Sequence, residues 1–217
     1  MNKLQRAWKG LRGPLTTIVL CGAVATSLQG CIEMAIGTAV MGTLAATDRR
    51  TFGAQTEDKA ITVKGEARVA NLVGSTGHVN VASFNRKVLL TGEVRDEATK
   101  AAVEREVSAI EGVQSVVNDL EVMGNSSFTA RSNDSLTTGR VKASFVDSKE
   151  LYANSIKVVT ERSTVYLMGR VTEREGQLAA NLASGIGGVQ KVIKVFEYIS
   201  DDELNRLTTQ AENQAKK

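Results

Sequence analysis

The stretch Val88-Leu89-Leu90-Thr91-Gly92-Glu93-Val94 returns later in the chain as Val165-Tyr166-Leu167-Met168-Gly169-Arg170-Val171. A second stretch, Gly112-Val113-Gln114-Ser115-Val116-Val117, returns in the same order as Gly188-Val189-Gln190-Lys191-Val192-Ile193. The spacing between the copies changes by a single residue, which indicates one deletion in the intervening segment. Self-similarity at a constant spacing is the sequence signature of a duplicated structural unit. The chain therefore contains two homologous modules.

The hydrophobic period changes in the same order within each module, from alternation to helical spacing and back. In the first module the predicted elements are a strand at Val79 and Val81, a turn at Asn85-Arg86-Lys87, a strand from Val88 to Val94, a helix with Val103, Val107 and Ile110 on one face, and a strand from Val116 to Val122. In the second they are a strand from Ile156 to Thr160, a strand from Val165 to Val171, a helix with Leu178, Leu182 and Ile186, and a strand from Val192 to Ile199. Thr172 with Glu175 predicts a capping box at the start of this last helix.

A further helix is predicted ahead of each module, from Asp58 to Val69 and from Asp134 to Val146. We therefore predict an α+β fold of two tandem αββαβ modules, each a small three-stranded sheet covered on one face by two helices. Modules of this size bury little core alone, so we expect the two copies to pack on each other.

The predicted domains follow from the repeat and from the polar joints around it. They are a signal peptide at 1–30, a lipidated tether at 31–56, the first module at 57–123, a linker at 124–133, the second module at 134–199 and a polar C-terminal tail at 200–217.

The N-terminus has the three-part pattern of an export signal. Four basic residues and no acid precede an apolar run from Leu15 to Val24, which is too short for a permanent membrane span. Leu28-Gln29-Gly30-Cys31 then resembles the lipobox that lipoprotein signal peptidase cuts. We predict cleavage at a site formed by Leu28, Gly30 and Cys31, and acylation of Cys31. The alternative is a signal-anchor helix in which Cys31 is incidental.

The composition argues against several classes of function. Without the predicted signal peptide the chain has 23 basic and 24 acidic residues, which gives no support to a nucleic-acid partner. His78 is the single histidine, and Cys21 leaves with the signal, so neither a transition-metal cluster nor a Cys/His nucleophile pair can be built. We predict no enzyme, no metal and no cofactor other than the covalent diacylglycerol and N-acyl chain on Cys31. A Ser-Lys or carboxylate pair stays open at this stage.

The repeat and the lipobox together resemble the dual BON-domain outer-membrane lipoproteins. The stretches that carry the resemblance are Leu90-Thr91-Gly92-Glu93-Val94, the segment from Gly112 to Asn118, and three shorter ones at 45–51, 132–134 and 167–175. The resemblance implies a non-enzymatic lipoprotein at the periplasmic face of the outer membrane. It also implies binding of anionic phospholipid, notably phosphatidylglycerol, through the second module, and roles at division sites, in envelope integrity and in outer-membrane protein assembly.

The helix ahead of the second module is the predicted lipid-binding element. On a helical wheel Leu136 and Arg140 fall opposite the core face, so an apolar group and a cation share one exposed side. The predicted contact residues are Leu136, Arg140, Val141, Phe145 and Val146. The second module carries a net charge of +2 and the first −3, which favours the second at an anionic surface. The alternative is an ordinary exposed leucine.

The rival function is a lipid-tethered scaffold. Exposed strand edges of two small sheets can pair with an extended segment of another protein, such as an outer-membrane assembly factor.

Overall fold

The computed structural model describes residues 48–148 and 150–215, the last six of these as backbone alone. The predicted signal peptide, the cleavage site at Leu28 and Gly30, and the predicted lipidation site Cys31 lie outside the described residues. Ala46–Lys217 forms one compact unit, which contains both modules.

Two consecutive αββαβ modules are present, as predicted. The first module consists of α1 (Phe52–Val73), β1 (His78–Phe84), β2 (Lys87–Val94), α2 (Glu97–Ser108) and β3 (Ser115–Val122). The second consists of α3 (Phe128–Asp147), a short 3-10 turn (Ala153–Ser155), β4 (Ile156–Glu161), β5 (Thr164–Val171), α4 (Glu173–Ser184) and β6 (Lys191–Tyr198). The chain continues into α5 (Asp201–Ala215).

Each module has one three-stranded sheet with the same topology, which confirms the predicted α+β class. The strand orders are β1-β2-β3 and β4-β5-β6. The first pair of each sheet is an antiparallel hairpin, whereas the central strand and the last strand are parallel. Parallel neighbours need a crossover connection, and α2 and α4 provide it. The quoted repeat, Val88 to Val94 and Val165 to Val171, is the central strand of each sheet.

An aspartate on the first helix of each module holds the hairpin turn in place. Asn85 and Arg86 have positive φ angles, a left-handed backbone that residues other than glycine seldom adopt and that asparagine tolerates better than arginine. The Asp58 carboxylate accepts both backbone N–H groups of this turn, at 2.7 and 2.8 Å. Asp134 does the same for Arg162-Ser163 in the second module, at 2.8 and 2.9 Å. Two helix–turn contacts of the same kind thus stabilise two equivalent hairpins.

The helices and the sheet of each module enclose a separate apolar core. The first core is centred on Val88, Leu90 and Val103, and the second on Val165, Leu167 and Ala179. Only alternate residues of the central strands face these cores, because successive strand residues point to opposite faces of a sheet.

A third cluster joins the two modules through the opposite faces of their sheets. It consists of Ala82, Phe84 and Leu89 from the first module and Tyr166, Met168 and Val195 from the second. Polar contacts surround the cluster, among them a bond from the Tyr166 hydroxyl to Asp119 at 2.6 Å and an ion pair of Arg162 with Glu121 at 2.9 Å. The order of layers is therefore helices, sheet, sheet, helices.

The first helix of each module begins earlier than the sequence predicts. α1 starts at Phe52 and α3 at Phe128, where Asp58 and Asp134 were expected. The cause is an N-cap side chain: Thr51 and Ser127 each accept the backbone N–H three residues on. The predicted linker at 124–133 is in consequence mostly helix, and the polar tail at 200–217 includes α5.

Candidate membrane-contacting surface

Helix α3 has one buried side and one exposed side. Asp134, Thr137, Val141 and Phe145 are buried against the sheet, four residues apart along most of the series as the helical period requires. The opposite side carries Leu136, which is 60% exposed, and Arg140. The predicted placement of Leu136 and Arg140 at the surface agrees with this geometry.

Two of the predicted contact residues are in the wrong place. Val141 and Phe145 are both 0% exposed and belong to the core of the second module. They cannot touch a membrane while the module is folded, because they lie on the side of α3 that meets the sheet. Val146, one residue further on, is 66% exposed and remains a candidate.

Sequence reasoning missed Phe128, which is 79% exposed at the first position of α3. At about 100° per residue, Phe128, Leu136, Ala143 and Val146 lie within an arc of about 80° on the helix. We call these four residues the α3 stripe. The signal that could have revealed Phe128 is the N-cap at Ser127, which extends the helix by nearly two turns.

Cations flank the α3 stripe on both sides. Arg140 lies beyond one edge and Lys142 beyond the other, and both are exposed. The Arg140 guanidinium makes one long bond, 3.5 Å to the Gly187 carbonyl, so most of its donors face solvent. An apolar strip bordered by cations is the side-chain pattern that inserts into the headgroup region of an anionic bilayer.

The chain enters the described unit through two buried arginines. The Arg49 guanidinium pairs with both oxygens of Glu175 and donates to the Arg170 carbonyl at 2.7 Å. Arg50 pairs with Asp58 at 2.8 Å and lies 4.1 Å over the Phe84 ring. Arg49 therefore holds the second module and Arg50 the first.

At this entry point the contacts of Glu175 favour its ionised form. Burial alone would raise the pKa of Glu175, but its bonds with Arg49 and with the Thr172 backbone hold that pKa below its ordinary value. Arg49 also lies over the Tyr152 ring at 5.7 Å, a few residues after the end of α3. The entry point and the C-terminal end of α3 are thus close in the fold.

The domain family follows from the repeat. A model of the BON domain matches residues 57–124 and, a second time, residues 133–200. The chain belongs to the BON domain family. This confirms the resemblance, and the structure gives both BON domains the same αββαβ topology.

Three relatives, each matched over more than two thirds of its own length, support the same assignment. Over 189 residues the chain is 38% identical to Outer membrane lipoprotein DolP of Haemophilus influenzae, covering 86% of this chain and 97% of that protein. It is 30% identical to the 21 kDa hemolysin of Actinobacillus pleuropneumoniae over 70% of this chain and 79% of that protein. It is 28% identical to Osmotically-inducible protein Y of Escherichia coli over 63% of this chain and 70% of that protein. The chain is a DolP-like protein with two BON domains.

His78 is the first residue of β1 in the first BON domain. Burial and the nearby Arg131 lower the pKa of His78, with Glu93 opposing them. Within residues 48–148 and 150–215 no three His, Cys, Asp or Glu side chains are grouped so as to hold a metal ion. The same residues include no helix that is both long and apolar enough to cross a bilayer.

Proposed function

We propose that this dual-BON protein is a lipid-anchored outer-membrane lipoprotein on the periplasmic face that binds anionic phospholipid through the α3 stripe. The observation that carries the proposal is the exposed series Phe128, Leu136 and Val146 with Arg140 and Lys142 beside it. Basic residues near an anionic surface each contribute roughly 1 kcal/mol, and apolar side chains add their transfer from water. The relative named Outer membrane lipoprotein DolP supports the location.

The anchor and the α3 stripe have different tasks in this proposal. Acyl chains on Cys31 attach the protein, whereas the stripe selects the lipid beneath it. Because Arg49 contacts Tyr152 just beyond α3, the chain from the anchor arrives at one end of that helix. We extend the proposal to enrichment at division sites and to support of envelope integrity and outer-membrane protein assembly, which follow if the selected lipid is concentrated there.

Liposome flotation tests lipid selection directly. The Cys31→Ser protein without its signal peptide removes the anchor and keeps all described residues. We expect it to float with phosphatidylglycerol-containing vesicles and to stay behind with neutral vesicles. Leu136→Glu combined with Arg140→Glu places acids on the stripe and is expected to abolish flotation.

The first BON domain offers a matched control. Val63→Glu with Lys64→Glu makes the same charge change on the exposed side of α1, where Val63 is 66% exposed. This control is expected to float like the parent protein. Equal flotation of all three proteins, or equal flotation with neutral vesicles, contradicts the proposal.

A scaffold function is the second candidate, favoured by the cleft between the two sheets. β1 and β4 each pair with a strand on one side only, and both line a cavity of about 360 Å³ with residues of α1 and α3. An extended segment of a partner can add to such an edge. Crosslinking in cells separates the candidates: one stoichiometric protein partner that is retained by the Leu136→Glu, Arg140→Glu variant favours the scaffold.

A further inference from the structure

A second cavity lies at the seam of the two BON domains, next to the point where the chain enters the unit. Its volume is about 220 Å³, below the 300 to 1,000 Å³ of most organic-ligand pockets. Its lining contains three cations, Arg50, Lys59 and Lys157, and one carboxylate, Asp58. Neutral polar and apolar side chains complete it, among them Gln55, Thr62, Phe84 and Ile156. The small size and the excess of cations over acids fit a small anion better than an apolar molecule.

Lys157 is the unusual member of this lining. Its ammonium group donates to the Ser83 carbonyl at 3.1 Å, across the interface between the domains. Burial in the first place, and the positive charge of Arg50 in the second, lower the pKa of Lys157. Among the described residues no carboxylate forms an ion pair with it, although buried charges in proteins are normally paired.

Asp58, the carboxylate in the lining of this cavity, already accepts four hydrogen bonds. One oxygen of Asp58 accepts from the Ser83 hydroxyl and the Arg86 N–H, and the other accepts from the Asn85 N–H and from Arg50. Arg50 in turn donates from Nε and Nη2 to the two oxygens of Asp48. The two ammonium groups, Lys59 and Lys157, are therefore the cations of the cavity that lack a carboxylate of their own in the described part of the chain.

We propose that the seam cavity binds a phosphate group, either free or as the phosphodiester of a lipid headgroup. In this site the Lys157 and Lys59 ammonium groups supply the charge and the Thr62 hydroxyl supplies a further donor. An ammonium group binds phosphate as a point charge and needs no bidentate geometry. The site shares no residue with the α3 stripe, so it stands whether or not the stripe binds lipid.

Binding is best followed at Lys157 itself. In the Cys31→Ser protein with ¹⁵N-labelled lysine, inorganic phosphate is expected to move the Lys157 side-chain resonance and to raise the pKa of that lysine. Chloride at equal ionic strength is expected to do neither. Lys157→Gln is expected to weaken phosphate binding, measured calorimetrically, by about tenfold or more, which is a loss of about 1.4 kcal/mol or more.

Lys191→Gln is the matched control, because it removes one exposed cation at the start of β6, outside the lining of the cavity. It is expected to bind phosphate as the parent does. Unchanged affinity in Lys157→Gln, or an unmoved Lys157 resonance at millimolar phosphate, overturns the proposal.

Two further ligands identify the source of the phosphate. Glycerol 3-phosphate and phosphatidylglycerol vesicles are compared with inorganic phosphate, all in the background of Leu136→Glu with Arg140→Glu so that the α3 stripe is disabled. A Lys157 shift with vesicles assigns the site to a lipid headgroup. A shift with the soluble compounds alone assigns it to a free phosphate. No shift with any of the three contradicts the site and leaves the α3 stripe untouched.

Discussion

Asp58 is a side chain on which several structural contacts converge. It is 3% exposed and accepts four hydrogen bonds, which link α1, the first hairpin turn and the entry segment. Despite the opposing effect of burial, these bonds hold the pKa of Asp58 below its ordinary value. Its contribution to stability is therefore present above about pH 4 and is lost as the pH falls through the lower pKa of the folded state.

Asp58→Asn is expected to lower the free energy of unfolding at pH 7 by about 3 kcal/mol, because an amide cannot replace the charge-assisted bonds. Urea unfolding measures the loss, and the free energy of unfolding of the variant should also depend less on pH below about pH 4. Asp134→Asn is the control. Asp134 accepts the two N–H groups of its turn but, among the described residues, no bonds equivalent to those that Asp58 accepts from Ser83 and Arg50, so Asp134→Asn should lose less stability. Equal losses would show that the turn contacts alone matter.

Glu161 has the opposite electrostatic situation. It is 5% exposed and accepts from the Asn80 amide across the interface at 2.6 Å. Burial, and then the charges of Glu93 and Asp134, raise its pKa against the effect of that bond. A carboxyl with a raised pKa contributes stability fully below its unfolded pKa of about 4.3, and the contribution disappears as the pH rises through the folded value.

Glu161→Gln is accordingly expected to stabilise the protein at pH 7 and to make little difference at pH 4. The Gln carbonyl can still accept from Asn80, whereas the buried charge is gone. Thermal unfolding at the two pH values measures the effect. Glu197→Gln is the comparison, since Glu197 accepts from Asn85 at 2.6 Å but also pairs with Arg170, and it should destabilise. A loss of stability in Glu161→Gln at pH 7 would refute the argument.

The exposure of a side chain could be predicted where a single hydrophobic periodicity determines the face on which it lies. The helical wheel placed Leu136 and Arg140 at the surface, and the same wheel put Val141 and Phe145 in the core, in conflict with their inclusion in the lipid site. The buried carboxylate of Glu93 could not be predicted. In a strand with one solvated face Glu93 would point to water, whereas in the folded protein it is fully buried and accepts from the Ser126 hydroxyl at 3.2 Å.

At the level of elements, the start of α4 connects a helix cap to the entry of the chain. The predicted capping box is confirmed: Thr172 accepts from the Glu175 N–H, and the Glu175 carboxylate accepts from the Thr172 N–H. The same carboxylate is the partner of Arg49, whose side chain is 6% exposed. One acid therefore begins a helix and neutralises a buried arginine.

Thr172→Ala and Glu175→Ala are expected to differ for this reason. Loss of the Thr172 cap should cost about 1 kcal/mol. Loss of Glu175 leaves Arg49 buried without its carboxylate and should cost about 3 kcal/mol or more. Chemical denaturation measures both. Similar losses of stability would mean that water hydrates the Arg49 guanidinium when its carboxylate partner is removed.

Element types could be predicted more reliably than element starts. The strands and the crossover helices have clear periods, which Val103 and Val107 illustrate in α2. The first turns of α1 and α3 begin with Phe52 and Phe128 but contain no repeating apolar period, so the caps at Thr51 and Ser127 are the signal for these helix starts. The sequence predicts a tether over the entry segment, since no local pattern shows that Arg49 and Arg50 have partners far along the chain.

At the scale of the whole molecule, the interface between the sheets determines whether the BON domains act as one body. Met168 is 0% exposed at its centre, together with Leu89 and Tyr166. The continuous apolar run Val88-Leu89-Leu90 is a sign of a strand that is buried on both faces. The small size of the modules predicts packing between the copies but cannot specify which faces meet.

Met168→Glu is expected to separate the domains, because it buries an unpaired charge between the two sheets. Urea unfolding should then show a lower midpoint and two transitions instead of one. Circular dichroism and the amide NMR signals of each domain, which do not depend on tryptophan, measure these transitions. Val63→Glu, at an exposed position, should behave like the parent protein. A single unchanged transition in Met168→Glu would mean that the interface contributes little.

The face-to-face sheets also have a consequence during synthesis. The first sheet is complete before the second exists, and its outer face with Phe84 and Leu89 stays uncovered until then. Since the two halves of the interface are homologous surfaces on one chain, a neighbouring chain can offer the same partner and form a domain-swapped dimer. The joint between the modules, residues 123–127, is short and keeps the correct partner at a high effective concentration. Lengthening that joint lowers the effective concentration of the correct partner, so that more newly made chains form domain-swapped dimers.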